Sequence, residues 1–191
     1  LRRSAVGGGA LLAAASGLGA LAPLAQADTP PDSDLAFLRL LIAAELLAVD
    51  FLGRAVRSGK LRHAATALAR QIRADEHEHY GSLAAAMVAA GQTPATAGDI
   101  DFSYPAATFR SERTILRFAE KLERVLVGAY IDALEKVQTP GLRATMARIA
   151  ANEAQHHGAL AALDGRPVIE KPFPSPVRMD AVSSVLDRYE S

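Results

Sequence analysis

Residues 72–83 read Ile72-Arg73-Ala74-Asp75-Glu76-His77-Glu78-His79-Tyr80-Gly81-Ser82-Leu83, and within them Glu76 and His79 stand three apart. The same spacing recurs as Glu153 and His156 in Asn152-Glu153-Ala154-Gln155-His156-His157-Gly158, 77 residues later. The neighbouring apolar residues set the meaning of both pairs. Leu68, Ile72, Leu83 and Met87 fall at three- and four-residue steps in line with Glu76 and His79. Leu142, Met146, Ile149, Leu160 and Leu163 do the same around Glu153 and His156. That period is the buried stripe of an amphipathic helix, so 61–90 and 142–163 are read as helices that turn these polar residues inward.

Working outward, each pair is preceded about 30 residues earlier by a glutamate on another apolar stripe. In 33–58, Leu38, Leu41, Ile42, Ala48, Val49, Leu52 and Val56 recur at helical steps with Glu45 among them. In 111–137 the stripe is Leu116, Ala119, Leu126, Val127, Tyr130, Leu134 and Val137, with Glu123 on it and Glu120, Asp132 and Glu135 off it. Burying an unpartnered carboxylate costs several kcal/mol, and four together would exceed the roughly 5–15 kcal/mol net stability of a domain. Something must neutralise them. Two divalent cations carry the matching charge, and two neutral imidazoles add ligands without disturbing the balance. Residues three apart lie one turn apart on one helix face, so each Glu and its following His can reach one ion. Glu45, Glu76, His79, Glu123, Glu153 and His156 are therefore the expected metal ligands.

Composition narrows the alternatives. Lys+Arg and Asp+Glu are both 21, so no basic surplus points to nucleic acid. The absence of Cys excludes disulfides, thiolate metal sites, a cysteine nucleophile and a rubredoxin-type iron centre. Aromatic residues are only 5% and alanine is abundant, which suits close-packed helices better than strands.

The first 27 residues differ in character. A basic start at Leu1-Arg2-Arg3-Ser4 leads into the uncharged, glycine-diluted run 5–24, and Ala25-Gln26-Ala27 forms an A-x-A cleavage signal before Asp28. This is read as an export peptide. Its adjacent arginines resemble a twin-arginine signal, although the phenylalanine often found shortly after the pair is missing. Five glycines and a proline make the run a poor membrane anchor. Cleavage after Ala27 would leave 19 basic against 21 acidic residues. A periplasmic or extracellular destination follows, with membrane contact only through the signal before cleavage.

In the remaining chain, 28–191, residues 28–32 read as a lead-in, with Ser33 or Asp34 as N-cap of the first helix. Ser58-Gly59-Lys60 is a break short enough to force the next helix antiparallel, and Gly91 closes that helix near Ala90. Residues 91–110 carry two prolines and no sustained period, hence a long crossover. Thr139 and Pro140 open the fourth helix, which ends near Asp164-Gly165. Gly81 and Gly158, and Leu83 and Leu160, repeat the 77-residue offset, so one hairpin occurs twice. In the tail, 165–191, four prolines precede Val182, Val185, Leu186 and Tyr189 at helical spacing. The expected fold is all-α: an antiparallel four-helix bundle with one long crossover between helices 2 and 3, plus a C-terminal tail helix.

The segments ELLAVDFL (45–52), DEHEHYG (75–81), LERVLVGAY (122–130) and NEAQHHG (152–158) resemble the ferritin-like superfamily, in particular secreted bacterial ferritin-like domain proteins similar to plant desiccation-related proteins. The resemblance covers roughly residues 33–163 and fills all six ligand positions: one Glu from each of two helices and a Glu-x-x-His from each of the others. One departure is Leu52, where such families often carry a tyrosine matching Tyr130. The resemblance implies that Asp75 orients His156 and that Asn152 orients His79, although both could be plain surface residues. Tyr130, two turns after Glu123, is either a core tyrosine or a hydrogen-bond partner of a ligand. His77, Glu78 and His157 are expected to be exposed, and His63 has no assigned partner.

Two functions follow as expectations. The first is a dinuclear centre of iron, or else manganese, meeting O2 or peroxide, with ferroxidase or peroxide-consuming activity in which the six ligands are also the catalytic residues. The second is a non-catalytic, stress-protective or structural bundle stabilised by metal. A homo-oligomer is compatible with either, and zinc or calcium binding is the less favoured third course.

Overall fold

The computed structural model describes residues 30–169 and 171–191; the expected export peptide, 1–27, lies outside them. Among the described residues, four long helices and one short one make up the regular structure: α1 Asp32–Arg57, α2 His63–Ala89, α3 Glu112–Lys136, α4 Pro140–Leu163 and α5 Met179–Leu186. The described residues contain no strand, only an isolated antiparallel bridge between Phe102 and Glu190. The fold is the expected all-α bundle with a tail helix.

Helix boundaries follow local chemistry. Ser111 caps α3 by accepting from the Thr114 N–H while the Thr114 hydroxyl accepts from the Ser111 N–H, a reciprocal pair that satisfies two end donors. Thr139 and Pro140 open α4 as expected. Gly91, just past the end of α2, takes φ +72, a left-handed conformation that glycine adopts without a Cβ penalty. The start of α1 differs from expectation. Its N-cap is Pro31, and neither Ser33 nor Asp34 caps it. The Asp34 carboxylate is committed elsewhere, accepting from the Gln138 and Thr139 N–H groups and the Thr139 hydroxyl at 2.7–3.2 Å.

These end contacts fix the topology. Asp34 ties the start of α1 to the end of α3, so those helices are antiparallel. Arg62, just before α2, pairs with Glu112 at the first residue of α3, so α2 and α3 begin at the same end of the bundle. The link between Ala89 and Glu112 must therefore run the length of α2, about 40 Å for 27 residues. Such a crossover makes α1 antiparallel to both α2 and α3, and α4 antiparallel to both α3 and α2.

The crossover and tail are anchored by aromatic packing. Tyr104 and Phe109 pack on Phe51, Phe51 stacks on Phe118 at 4.3 Å, and Tyr189 stacks on Tyr104 at 5.8 Å. Tail residues 166–169 and 171–178 lie along the α3–α4 hairpin, where the Val177 N–H donates to the Gly128 carbonyl at 2.9 Å.

The core has two apolar parts with the polar residues between them. Leu38, Leu41, Ile42, Leu83, Met87, Met146 and Ile149 belong to one part. Phe51, Leu52, Ile72, Ile115, Leu116 and Leu160 belong to the other. Val49, Val56, Leu68, Leu134 and Leu163, read as stripe residues, are only half-buried. Glu120 and Asp132 correct the reading more sharply: expected off the buried line of α3, they are 1% and 2% exposed. Each lies along the side of the stripe and is covered by a cation one turn later, Arg124 on Glu120 at 2.9 Å and Lys136 on Asp132 at 2.6 Å. Arg166 and His157 also face Glu120, so His157 is half-buried rather than exposed.

Candidate metal centre

Each long helix supplies its inward polar residues at mid-length, and the bundle brings them together. Glu45 from α1, Glu76 and His79 from α2, Glu123 from α3, and Glu153 and His156 from α4 are all buried. They form two groups, Glu45, Glu76, His79 and Glu153, and Glu76, Glu123, Glu153 and His156; within each, one ligand atom per residue lies within 4.8 Å of the others. Glu76 and Glu153 belong to both. The repeat in the sequence thus becomes a pseudo-twofold arrangement of two cradles sharing an edge.

Both imidazoles present Nδ1 to the carboxylates. His79 Nδ1 stands 2.9 Å from Glu153, 3.3 Å from Glu76 and 3.9 Å from Glu45. His156 Nδ1 stands 2.9 Å from Glu76 and 3.6 Å from both Glu123 and Glu153. Each outer nitrogen meets the residue that precedes the opposite helix's glutamate: His79 Nε2 lies 3.0 Å from Asn152 Oδ1, and His156 Nε2 lies 3.2 Å from Asp75 Oδ2. Asp75 also accepts from Gln71 at 2.9 Å. An Nε2–H donated outward leaves the Nδ1 lone pair directed at the cradle, the tautomer a cation requires. Asp75 thus lies beside His156, and Asn152 beside His79.

Tyr130 is fully buried, and its hydroxyl donates to Glu45 across the α1–α3 interface rather than to Glu123 on its own helix. Leu52 takes the corresponding place in the other half, so Glu123 has no phenol partner from α1. The two cradles therefore differ. His77, Glu78 and His63 are exposed and stand apart from both.

Inside the cradles, Glu45 Oε2, Glu76 Oε1, Glu123 Oε2, both Glu153 oxygens and His156 Nδ1 have no partner aligned for a hydrogen bond. Native interiors seldom leave such groups unpaired. Burial first, then the charges of Glu76 and Glu153, push Glu45 and Glu123 well above the ordinary carboxylate range. Burial would also raise Glu76, but the facing imidazoles of His156 and His79 outweigh it and hold this carboxylate at about 2. Burial would lower both histidines, yet the facing carboxylates push His79 up to about 9 and His156 up to about 12. Without metal, the centre thus favours a proton on Glu45, Glu123 and each imidazole. Those four protons carry the charge of two divalent cations. The donor set, its orphaned atoms and its charge all fit metal ions.

A four-helix bundle with one full-length crossover and a buried carboxylate–histidine centre defines a class of protein. The model of the ferritin-like domain matches residues 33–166, and the chain belongs to that family. Comparison with curated proteins returns no match. Among solved structures, the crystal structure of a hypothetical protein from Methanococcus jannaschii is similar, with a TM-score of 0.62 over 86% of this chain and 97% of that one at 11% identity. At that identity the likeness is one of fold. No helix of the described residues is long and apolar enough to cross a membrane.

Proposed function

We propose that this is an exported ferritin-like protein holding two metal ions, iron by preference and manganese otherwise, with ferroxidase or peroxide-consuming activity. The observation that carries the reading is the set of buried atoms without hydrogen-bond partners in two cradles that share Glu76 and Glu153. Glu45 and His79 would hold one ion, Glu123 and His156 the other, and the shared glutamates both. Carboxylate and imidazole donors favour hard ions that change valence. When bound, such ions supply the reversible valence change by which Fe(II) is oxidised or O2 and peroxide are reduced.

The chain's own residues do the rest. Asp75 and Asn152 orient the two imidazoles, Tyr130 fixes one Glu45 oxygen, and the apolar layers at either end limit bulk water. Protons on His79 and His156 Nδ1 would have to leave the centre as ions enter, because the carboxylates beside them would themselves be ligands.

The alternative, a stress-protective or structural bundle, is favoured by how closed the centre is, with Glu45, Glu76 and Glu153 each 0% exposed. Metal analysis of protein from its native compartment, then anaerobic Fe(II) loading and exposure to O2 or H2O2, separates the readings. Two iron or manganese ions per chain with rapid oxidation is the result expected of the enzyme. Two ions without turnover under either oxidant would favour the structural role, and no stoichiometric metal would overturn both.

A further inference from the structure

Away from the carboxylate centre, the last turns of α1 gather arginines. Gly53 lies there on the buried side of its helix, and a Cβ built on it would meet Arg57 Nη1 and Arg73 Nε, each at 3.2 Å. Both atoms lie that distance from one point, so the two guanidinium groups stand within twice that separation of each other. A Cβ there would require each group to give way by a few tenths of an ångström. Arg73 donates to the Val49 carbonyl at 3.3 Å, which places it on α1. Among the described residues, neither arginine has a carboxylate partner. Arg54, by contrast, is engaged by Asp50 at 2.8 Å, by the Phe102 carbonyl and by the face of Tyr104.

Arg57 also borders a cleft of about 430 Å³, lined with Arg54, Ser58, Tyr104 and Phe109. Of the converging pair, Arg57 lines this cleft and Arg73 does not, so Arg57 joins the pair to the aromatic wall. Two like charges held together with no counter-ion repel each other, and a tetrahedral dianion with several acceptor oxygens answers both forks at once. A carboxylate offers two oxygens in one plane and matches one fork better than two.

We propose that Arg57 and Arg73, converging over Gly53, form a binding site for a phosphate group, and that the Tyr104–Phe109 wall extends it to phosphate esters with a flat apolar body. The site is separate from the carboxylate centre and does not rest on the proposed redox activity. Free phosphate and an aryl ester share the same recognition chemistry, and titration tells them apart.

Inorganic phosphate and phenyl phosphate are titrated into the full chain by calorimetry at low ionic strength, with and without chelator, since salt screens exposed charges. Saturable binding of both is expected, with phenyl phosphate tighter by threefold or more. Equal affinity for the two would limit the site to the free anion and overturn the extension to esters. Arg57→Gln and Arg73→Gln should each weaken binding at least fivefold, and Arg148→Gln, on α4, should leave it unchanged. Gly53→Ala provides a structural test: the methyl group makes both guanidinium groups give by a few tenths of an ångström, so affinity falls modestly while the helix keeps or gains thermal stability. Affinity unchanged in the Arg57 and Arg73 variants, or binding that disappears with chelator, would overturn the proposal; the latter would place the anion on bound metal.

Discussion

Tyr130 and Leu52 occupy matching places in the two repeats, and only Tyr130 can hydrogen-bond a residue of the candidate centre. Its hydroxyl donates to Glu45, whose other oxygen has no partner. Tyr130→Phe should cost about 1–3 kcal/mol in denaturant unfolding, because a buried carboxylate loses its donor. A loss near zero would mean that the hydroxyl is dispensable. Glu120 and Glu123, three residues apart and both buried, make a second comparison. Glu123→Ala should reduce metal to fewer than two ions per chain. Glu120→Ala should keep the full count but lower stability, since Arg124, Arg166 and His157 lose their shared anion. Metal analysis and unfolding of both variants check this, and equal metal loss would show that the ligand face of α3 is misassigned. The six residues that gather in the candidate centre were legible in the sequence because each interrupts an apolar stripe at helical spacing. Glu120 was not, because its burial depends on Arg166 and His157, which come from α4 and the tail.

The ends of helices are held by contacts that periodicity does not reveal. Asp34 resembled an N-cap of α1 but clamps the α3–α4 turn from 104 residues away. Burial would raise its pKa, but hydrogen bonds from the Thr139 hydroxyl, the Gln138 and Thr139 N–H groups and Ser33 outweigh it and hold the carboxyl below the ordinary range. The folded state therefore binds this proton less readily than the unfolded chain does. The stabilisation is complete above the ordinary carboxylate pKa of about 4 and is lost as pH falls through the lower folded value. Asp34→Asn should be less stable than wild type at pH 7 by about 1–2 kcal/mol, with the gap closing in acid. Urea midpoints across that range test the sign, and a gap that widens in acid would contradict it. The tail strap was legible only as proline-rich spacing. Its seat is Gly128, where a Cβ would fall 2.3 Å from Val177 Cγ2 and 2.9 Å from Val177 Cβ. Gly128→Ala should lift the strap and expose 171–178 to protease, even though alanine favours the helix by about 1 kcal/mol. Cleavage as slow as wild type would mean that the strap is held elsewhere.

At the scale of the molecule, four carboxylates gathered between two apolar layers make the bundle depend on whatever neutralises them. Stripping metal with a chelator should lower stability by about 3 kcal/mol, or roughly 6–12 °C in Tm, and restoring Fe(II) or Mn(II) should recover it. A Tm indifferent to metal would leave the protons as sufficient counter-charge. The number of helices, the repeat and the crossover could all be read from apolar spacing and from two short linkers flanking one long one. The sharing of Glu76 and Glu153 between cradles could not, because it depends on how the hairpins dock. That sharing has a kinetic consequence. Each hairpin closes over a short turn and can form early, but neither cradle exists in one hairpin alone, since both draw on α2 and α4. Docking must wait for the long link to be drawn along the bundle, a slow, non-local event. In refolding, helical signal should therefore return first, and ion uptake should mark the final step of assembly.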